Sequence, residues 1–263
     1  MPRPIWSGAI SFGLVNVPVK LFSAVSPKDV RFHQIDAKTN ARVRQKRVSA
    51  ATGEEVPYEQ IVKGYELGPD TYVTISPEEL EALDPKATKT IDIEDFVDLD
   101  MIDPIFYERP YYLVPDKGGT KAYALLREAM RETNKVGIAR VVLRTKQYLA
   151  AIRPKGEVLV LETMLFPDEV VPDDELDVPR DEVEVSDREQ KMARQLIDSL
   201  SSEFEPDKYH DEYRERVLEL IEQKASGQEI VVEEPTEEPT KVVDLMAALE
   251  ASLAAVKKDT GKE

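Results

Sequence analysis

The sequence predicts an α+β fold in which a β-barrel core precedes C-terminal helices, and three features of the chain indicate it. Short β-branched and aromatic segments interrupted by Gly and Pro fill much of residues 6–165, as is typical of bent barrel strands. Apolar side chains then recur at helical spacing across residues 186–224. The acidic, proline-punctuated segment 167–185 separates these two regions.

The first strands are predicted in residues 6–22, WSGAISFGLVNVPVKLF. Gly and Pro inside such a segment mark bulges or barrel corners, so we expect two bent strands there. The same composition predicts further strands at residues 30–35, 41–48, 72–75, 91–97, 111–114, 136–145, 147–153 and 157–165.

A capping signal predicts the first helix of the barrel region, and an apolar spacing predicts the second. Ser76, Pro77 and Glu79 supply an N-cap, a proline in the first turn and a capping box, which predict a short helix over residues 78–83. Residues 120–134 carry apolar side chains at the i, i+3, i+4, i+7 spacing of an amphipathic helix.

The second region begins with another capping box, formed by Ser186 and Glu189. The apolar stripe after it extends to Phe204, and Pro206 is expected to end that helix. A further helix is predicted over residues 211–224.

Composition divides the chain into four expected parts. The acidic segment EEPTEEPT has no side chains with which to pack against a core, so it is interpreted as a linker. The parts are a β-barrel core over residues 1–185, a helical arm over residues 186–229, an acidic Pro/Glu linker over residues 230–241 and an amphipathic tail helix over residues 242–263.

The residue inventory limits where the chain works and what it does. No cysteine occurs among the 263 residues, so disulfides and thiolate zinc sites are excluded. The N-terminus lacks the pattern of a signal peptide, and no uncharged apolar stretch approaches the ~18 residues of a membrane span. We therefore expect a cytoplasmic, nucleoid-associated protein without a membrane partner.

The net charge of −17 is distributed unevenly. Residues 1–156 carry 23 Lys/Arg and 21 Asp/Glu, a net charge of +2, whereas residues 157–263 carry 12 and 31, a net charge of −19. Residues 115–155 form a basic block, with ten Lys/Arg against three acids. The acidic average therefore hides a body that can attract an anionic partner.

The densest basic segment is residues 31–47, which hold six Lys/Arg against one acid, Asp36. If residues 42–48 form a strand, alternation places Arg42, Arg44 and Lys46 on one face, roughly 7 Å apart. That spacing is similar to the spacing of phosphates along a nucleic-acid strand. The segment therefore predicts a nucleic-acid contact.

Five blocks of sequence, in order over about residues 1–230, resemble the bacterial Ku family, which binds DNA ends in non-homologous end joining. No block would identify the family alone, but five in series make the resemblance specific. The blocks are WSGAISFGLVNVPV at residues 6–19, RFHQ at 31–34, TGE at 52–54 followed by KGYE at 63–66, IDP at 102–104, and YYLVP at 111–115 leading to KAYALLREA at 121–129.

The resemblance implies a Ku-type β-barrel with extended arms, of which two copies assemble into a ring that a DNA end threads. It also implies three partners: linear double-stranded DNA ends, a second copy of the chain, and a multidomain ATP-dependent DNA ligase. The chain is interpreted as a binding scaffold for double-strand break repair rather than as an enzyme, and no cofactor is expected.

A ring that accepts any broken end should contact phosphate and sugar rather than base edges. The second basic block adds Arg140 and Arg144, which share a face of the strand predicted over residues 136–145. The alternative is that some of these cations are solvated faces of exposed strands. The expected DNA-binding residues are Arg31, Lys38, Arg42, Arg44, Lys46, Arg47, Arg140 and Arg144.

The tail helix carries an apolar stripe behind the linker, at Leu245, Met246, Leu249 and Leu253. A tethered amphipathic helix is suited to dock in a groove of a partner, and the resemblance suggests the ligase as that partner. The alternative, that it folds back on its own barrel, has equal weight.

Two functions of other classes remain as alternatives. The acids of residues 92–103 could form the metal site of a nuclease, although unspaced acids on a strand edge are usually solvated. An architectural protein could also coat duplex DNA without a requirement for ends. The two histidines, His33 and His210, lie far apart in the sequence, so no metal site is expected.

Overall fold

The computed structural model describes residues 3–83, 89–178, 185–227, 248–250 and 252. The chain divides into two compact units. Unit 1 comprises Met1–Lys28 and His33–Asp173, and unit 2 comprises Asp29–Phe32 and Asp174–Glu263. Within the described ranges, no helix is long and apolar enough to cross a membrane.

Unit 1 is built on a closed barrel of seven strands in the order β1-β2-β6-β9-β8-β7-β5, with a separate two-stranded sheet β3-β4. The strands are β1 (Trp6–Phe12), β2 (Val15–Ser23), β3 (Lys63–Gly68), β4 (Thr71–Ile75), β5 (Thr90–Asp98), β6 (Tyr107–Pro115), β7 (Lys135–Leu143), β8 (Lys146–Lys155) and β9 (Val158–Met164). The helices are α1 (Pro77–Leu83), α2 (Thr120–Thr133), α3 (Asp187–Leu200) and α4 (Glu212–Ala225). The predicted α+β class with a barrel core is confirmed.

The barrel closes through one parallel contact, between β1 and β5, whereas its other strand pairs are antiparallel. In that contact Ala9 pairs with Thr90 and Ile10 with Ile91. The backbone N–H of Ala9 donates to the carbonyl of Lys89 at 2.9 Å. Closure removes the unpaired strand edges that would otherwise attract another chain.

The barrel interior holds the main hydrophobic core. Alternate residues of each strand point inward, so Ile10, Val19, Leu113 and Ile152 are completely buried there. Helix α2 packs onto the same cluster through Tyr123, Leu126 and Met130. The apolar spacing predicted Leu126 and Met130 on this face but also Leu125, which is exposed, and it did not include Tyr123.

The hydroxyl of Tyr123 fixes α2 to the barrel. It donates to the carbonyl of Leu113 at 2.7 Å and accepts from the N–H of Leu159 at 2.6 Å. Burial raises the pKa of Tyr123, so the hydroxyl remains protonated and keeps both bonds. Helix α2 is thereby anchored at the side of the barrel where β6 ends and β9 begins.

The segment between β2 and α1 contains most of the differences from the predicted strands. Residues 30–35 and 41–48 are not strands, because Ile35–Arg42 and Val48–Glu55 are isolated bridges with no ladder between them. The strand β3 was not predicted. It pairs with β4, whose prediction over residues 72–75 is confirmed to within one residue.

Unit 2 contains α3 and α4. Ser186 and Glu189 form the predicted capping box of α3. The helix ends at Leu200, four residues before Phe204, because the backbone of Ser201 is already extended. Asp211 caps α4 by accepting from the N–H of Arg214 at 2.9 Å.

The two C-terminal parts expected from composition fall mostly outside the described residues. The linker, residues 230–241, lies wholly outside them. Of the four apolar residues assigned to the tail helix, only Leu249 is described, and it is half-buried. Leu245, Met246 and Leu253 lie outside the described residues.

Candidate nucleic-acid interface

Residues 33–75 of unit 1, here called the arm, carry most of the predicted DNA-binding cations. The structure describes this whole segment, and none of its side chains is buried. Its backbone forms two small loops closed by the isolated bridges, followed by the β3-β4 hairpin. The arm therefore offers a solvated surface rather than a packed one.

Asp36 organises the first loop and so positions Lys38. The Asp36 carboxylate accepts from the Thr39 hydroxyl at 2.6 Å and from the Lys38 N–H at 3.0 Å. The Thr39 bond, with the backbone bond of Lys38, holds the pKa of Asp36 below its ordinary value. Asn40 completes the turn with a φ of 57°, a left-handed conformation that asparagine tolerates.

The second loop positions Lys46 and Arg47. The Lys46 ammonium lies 2.6 Å from the Glu55 carboxylate. The Arg47 guanidinium lies over the Tyr58 ring, 5.2 Å from its centroid. These contacts orient both cations, and the Glu55 carboxylate partly neutralises Lys46.

Arg42 and Arg44 lie between the two loops and are exposed. Within the described part of the chain, neither forms an ion pair with a carboxylate, so their charge is available to an anion. The prediction that Arg42, Arg44 and Lys46 occupy one face of a strand is wrong, because no neighbouring strand pairs with residues 43–47. The cations are neighbours in a loop instead.

The remaining expected DNA-binding residues are Arg31, which precedes the arm in the sequence, and Arg140 and Arg144 of the barrel. Arg31 belongs to unit 2 and is exposed. Arg140 lies on β7 and pairs with Glu94 at 3.3 Å. Arg144 follows β7 in the turn to β8 with a φ of 61°, so it does not share a strand face with Arg140 as predicted. Within unit 1, the structure therefore places Arg140 and Arg144 on the barrel rather than in the arm.

Exposed apolar side chains lie among the cations of the arm, and the sequence analysis did not predict them as part of the site. Their signal was present in the sequence, since Val43 and Val48 interrupt the basic run. Most of these residues are more than half exposed. Exposed apolar side chains grouped on one segment are typical of a surface that a partner covers. They are Ile35 at 55%, Val43 at 52%, Val48 at 57%, Tyr58 at 74%, Val62 at 60%, Tyr65 at 66% and Tyr72 at 57%.

The acids considered for a nuclease site form local structural contacts. Asp98 pairs with Lys135 at 2.8 Å, and Asp92 accepts from the Thr90 hydroxyl at 2.9 Å. Asp103 caps a short helix by accepting from a backbone N–H. In the described ranges, no group of three or more His, Asp or Glu side chains is arranged to hold a metal ion.

A family model and two relatives from bacteria agree on the family to which the chain is similar. The chain matches the family model Ku, described as the Ku70/Ku80 beta-barrel domain, over residues 11–192. It is 54% identical over 261 residues to the Non-homologous end joining protein Ku of Anaeromyxobacter sp. (strain K), covering 98% of this chain and 87% of that protein. It is 48% identical to the protein of the same name from Heliobacterium modesticaldum (strain ATCC 51547 / Ice1), covering 99% and 95%. Among solved structures, it is similar to the SPOC domain of human PHD-finger protein 3, with a TM-score of 0.30 and 14% identity over 62% of this chain and 95% of that chain.

The family match includes the whole barrel apart from residues 6–10 of β1. The relatives align over nearly the full length, so the match does not depend on one motif. The resemblance found in the sequence is thereby confirmed, and the family is one of DNA-binding scaffolds rather than enzymes. The chain belongs to the Ku family, the DNA-binding proteins of non-homologous end joining.

Proposed function

We propose that two copies of this chain form a ring that holds the end of a double-stranded DNA, whatever its sequence, during double-strand break repair. The observation that carries this proposal is the arm, which presents Arg42 and Arg44 to solvent without carboxylate partners in the described ranges. An irregular segment with free guanidinium groups suits phosphates, which are alike in every DNA sequence.

The expected DNA-binding residues contribute unequally in this proposal. Arg42 and Arg44 are the strongest candidates, and Lys38, Lys46 and Arg47 support them from the two loops. Arg140 and Arg144 are retained as weaker candidates, since Arg140 is paired with Glu94 and Arg144 lies in the turn after β7. Arg31, in unit 2, is retained as well. Each phosphate contact would release counterions, so binding should weaken steeply with salt.

The exposed apolar side chains of the arm support a homodimer. Val43, Val48 and Tyr65 are each more than half exposed. A second copy that covers them would remove apolar surface from water and bring two sets of cations around one duplex. End specificity then follows from topology, because a closed ring admits DNA only at a free end.

The acidic second part of the chain supports the same path for DNA. With a net charge of −19, residues 157–263 repel the phosphate backbone and leave the basic surfaces of the first part as the favourable contact. Such a protein works at the nucleoid.

The experiment that tests the proposal is a competition binding assay. A labelled linear duplex bound to the protein is challenged with equal masses of linear and closed circular plasmid. We expect only the linear plasmid to compete. Equal competition by the circle would contradict threading and favour an architectural protein that coats duplex DNA.

Recruitment of an ATP-dependent DNA ligase through the tail, residues 242–263, is a second part of the proposal. The apolar residues Leu245, Met246, Leu249 and Leu253 would occupy a groove of the ligase. Truncation before Val242 should abolish ligase stimulation and leave DNA binding intact. If stimulation survives, the tail is not the docking site.

A further inference from the structure

One mouth of the barrel holds a cavity with no arm residue in its lining, and Arg144 is the one expected DNA-binding residue that lines it. It has a volume of about 270 Å³. Its lining comes from the start of β1, the end of β2, the start of β6 and the turn between β7 and β8. The lining residues are Ile5, Trp6, Ser23, Arg109, Tyr111, Leu143, Arg144 and Tyr148.

The strand register places this cavity away from α2. Ser23 pairs with Tyr111, and Trp6 pairs with Leu21, so the lining strands meet at one end of the barrel. Helix α2 is anchored at Leu113 and Leu159, further along β6 and β9 toward the other end. Mouths of β-barrels are common positions for small-ligand sites.

The cavity wall is aromatic. Tyr111 is 9% exposed and belongs to the buried core, and Trp6 and Tyr148 pack against that core. A core that supports the rings holds them in fixed positions. Flat, rigid rings of this kind are the surfaces on which nucleic-acid bases stack.

The rim carries two guanidinium groups, those of Arg109 and Arg144. Arg109 lies over the Tyr111 ring, 5.8 Å from its centroid. Neither arginine forms an ion pair within the described part of the chain, and the cavity lining contains no carboxylate. Two cations brought to one cavity without a counterion indicate an anionic ligand. Arginine binds phosphate and carboxylate in bidentate fashion, and the aromatic wall favours the phosphate of a nucleotide.

The backbone at Arg144 gives a second indication that its side chain is required. Arg144 and Thr145 form the two-residue loop between β7 and β8, and Arg144 has a φ of 61°. Glycine is the residue that such a position favours, since a Cβ is disfavoured at positive φ. Arginine occupies the position despite that preference, and its side chain lines the cavity.

We propose that the barrel mouth binds a phosphorylated nucleoside, with its phosphate on Arg109 and Arg144 and its base against Trp6, Tyr111 and Tyr148. The cavity equals about nine water molecules of ~30 Å³ each, which suits the base of a nucleotide and leaves the sugar and phosphate at the rim. The nucleotide is either free or the unpaired terminal nucleotide of a DNA strand, and only the second source rests on the proposed end binding.

Trp6 is the single tryptophan of the chain, so its fluorescence reports on this cavity alone. The full-length protein is titrated with deoxyadenosine 5′-monophosphate, with deoxyadenosine and with inorganic phosphate. We expect saturable quenching by the nucleotide at least tenfold tighter than by either fragment. Equal affinity for nucleotide and phosphate, or no saturable signal, would overturn the proposal.

Two variants assign the phosphate contact. Arg144→Gly suits the turn and removes the guanidinium, so it should fold normally and lose nucleotide affinity about tenfold, as should Arg109→Gln. The control, Arg131→Gln, removes a cation from α2, outside the cavity lining, and should bind as the wild type does. Wild-type affinity in both cavity variants would contradict the site.

A competition experiment distinguishes free nucleotide from the terminal nucleotide of a DNA strand as the ligand of the cavity. The bound mononucleotide is challenged with a duplex that bears an unpaired 5′-phosphorylated nucleotide and with a matched blunt duplex. Displacement of the mononucleotide by the first duplex alone assigns the site to a DNA terminus. Displacement by neither duplex assigns it to free nucleotide. The circle assay on Arg109→Gln, a residue outside the expected DNA-binding set, tests end binding separately, so failure of the ring and failure of this site give different results.

Discussion

At the scale of single residues, one buried hydroxyl connects three elements of the core. The Tyr123 hydroxyl of α2 satisfies a carbonyl of β6 and an N–H of β9 within the core. Removing such a group leaves two buried backbone groups without partners. Each buried group left without a partner destabilises the fold by more free energy than a hydrogen bond contributes on average.

Tyr123→Phe should therefore destabilise the protein by about 1–3 kcal/mol, with little change in side-chain volume. Urea unfolding followed by far-UV circular dichroism measures the change. Tyr112→Phe is the matched control, because the Tyr112 hydroxyl makes no hydrogen bond within the described residues. Equal effects of the two substitutions would mean that the Tyr123 bonds contribute nothing.

Asp116 supplies a pH-dependent contact at the start of the loop before α2. The Lys20 ammonium donates to its carboxylate at 2.6 Å, and the Lys117 N–H donates at 2.7 Å. The Lys20 bond, followed by the Lys117 bond, lowers the pKa of Asp116 below its ordinary value of 3.8. Because the folded-state pKa is lowered, this stabilisation is present above pH 3.8 and is lost as the pH falls through the lowered value.

Asp116→Asn should accordingly be less stable than the wild type at pH 7, and the difference should shrink as the pH falls below 3.8. Thermal unfolding at a series of pH values measures it. Asp100→Asn is the control, since Asp100 makes no ion pair or hydrogen bond in the described ranges. A difference for Asp116→Asn that stays constant as the pH falls well below 3.8 would contradict the linkage.

At the scale of elements, barrel closure depends on a close backbone approach. A Cβ on Gly8 would clash with the carbonyl oxygen of Lys89 and with the Trp6 ring. That carbonyl accepts the N–H of Ala9, which begins the parallel contact of β1 with β5. Glycine is therefore required at this position by space rather than by its φ angle.

Gly8→Ala should open the contact of β1 with β5 and destabilise unit 1 by about 1–3 kcal/mol or more. Hydrogen exchange should show faster exchange at residues 9–11 than in the wild type. Gly68→Ala on β3 is the control, because a Cβ there meets no atom within 4 Å. Unchanged protection in Gly8→Ala would mean that β1 shifts without cost.

At the scale of the whole molecule, charge and topology act together. The acidic part cannot attract DNA, whereas the arm has cations that its own structure leaves available. Binding by such a molecule is governed by counterion release, so the steepness of its salt dependence reports how many phosphates it neutralises.

Arg42→Gln with Arg44→Gln should reduce the slope of log affinity against log salt by about 0.9 for each phosphate that is no longer neutralised, or about 3.6 for a dimer. A salt titration of binding to a linear duplex measures the slope. The matched control is Arg214→Gln with Arg216→Gln on α4, which should leave the slope unchanged. An equal reduction in both double variants would show that the arm has no special role.

The sequence by itself determined where the helices α1 to α4 begin, to within a residue, because the signals for a helix start are local. A capping box satisfies N–H groups within four residues, and helical hydrogen bonds join residues i and i−4, so Ser186 and Glu189 fixed the start of α3 correctly. The five sequence blocks of the Ku family likewise indicated the barrel and DNA binding, because their residues and their order can be read directly from the sequence.

Only the tertiary structure decided which extended segments became strands and which side chains met. A strand must pair with another strand elsewhere in the chain, and residues 43–47 belong to no ladder, although their composition suits a strand. Val43 and Arg47, at the two ends of the segment, each form one backbone hydrogen bond, with Gln34 and Val56. Barrel closure brings Trp6, Arg109 and Arg144 to one cavity. These three residues are far apart in the sequence and leave no local pattern, because the register of distant strands creates their proximity.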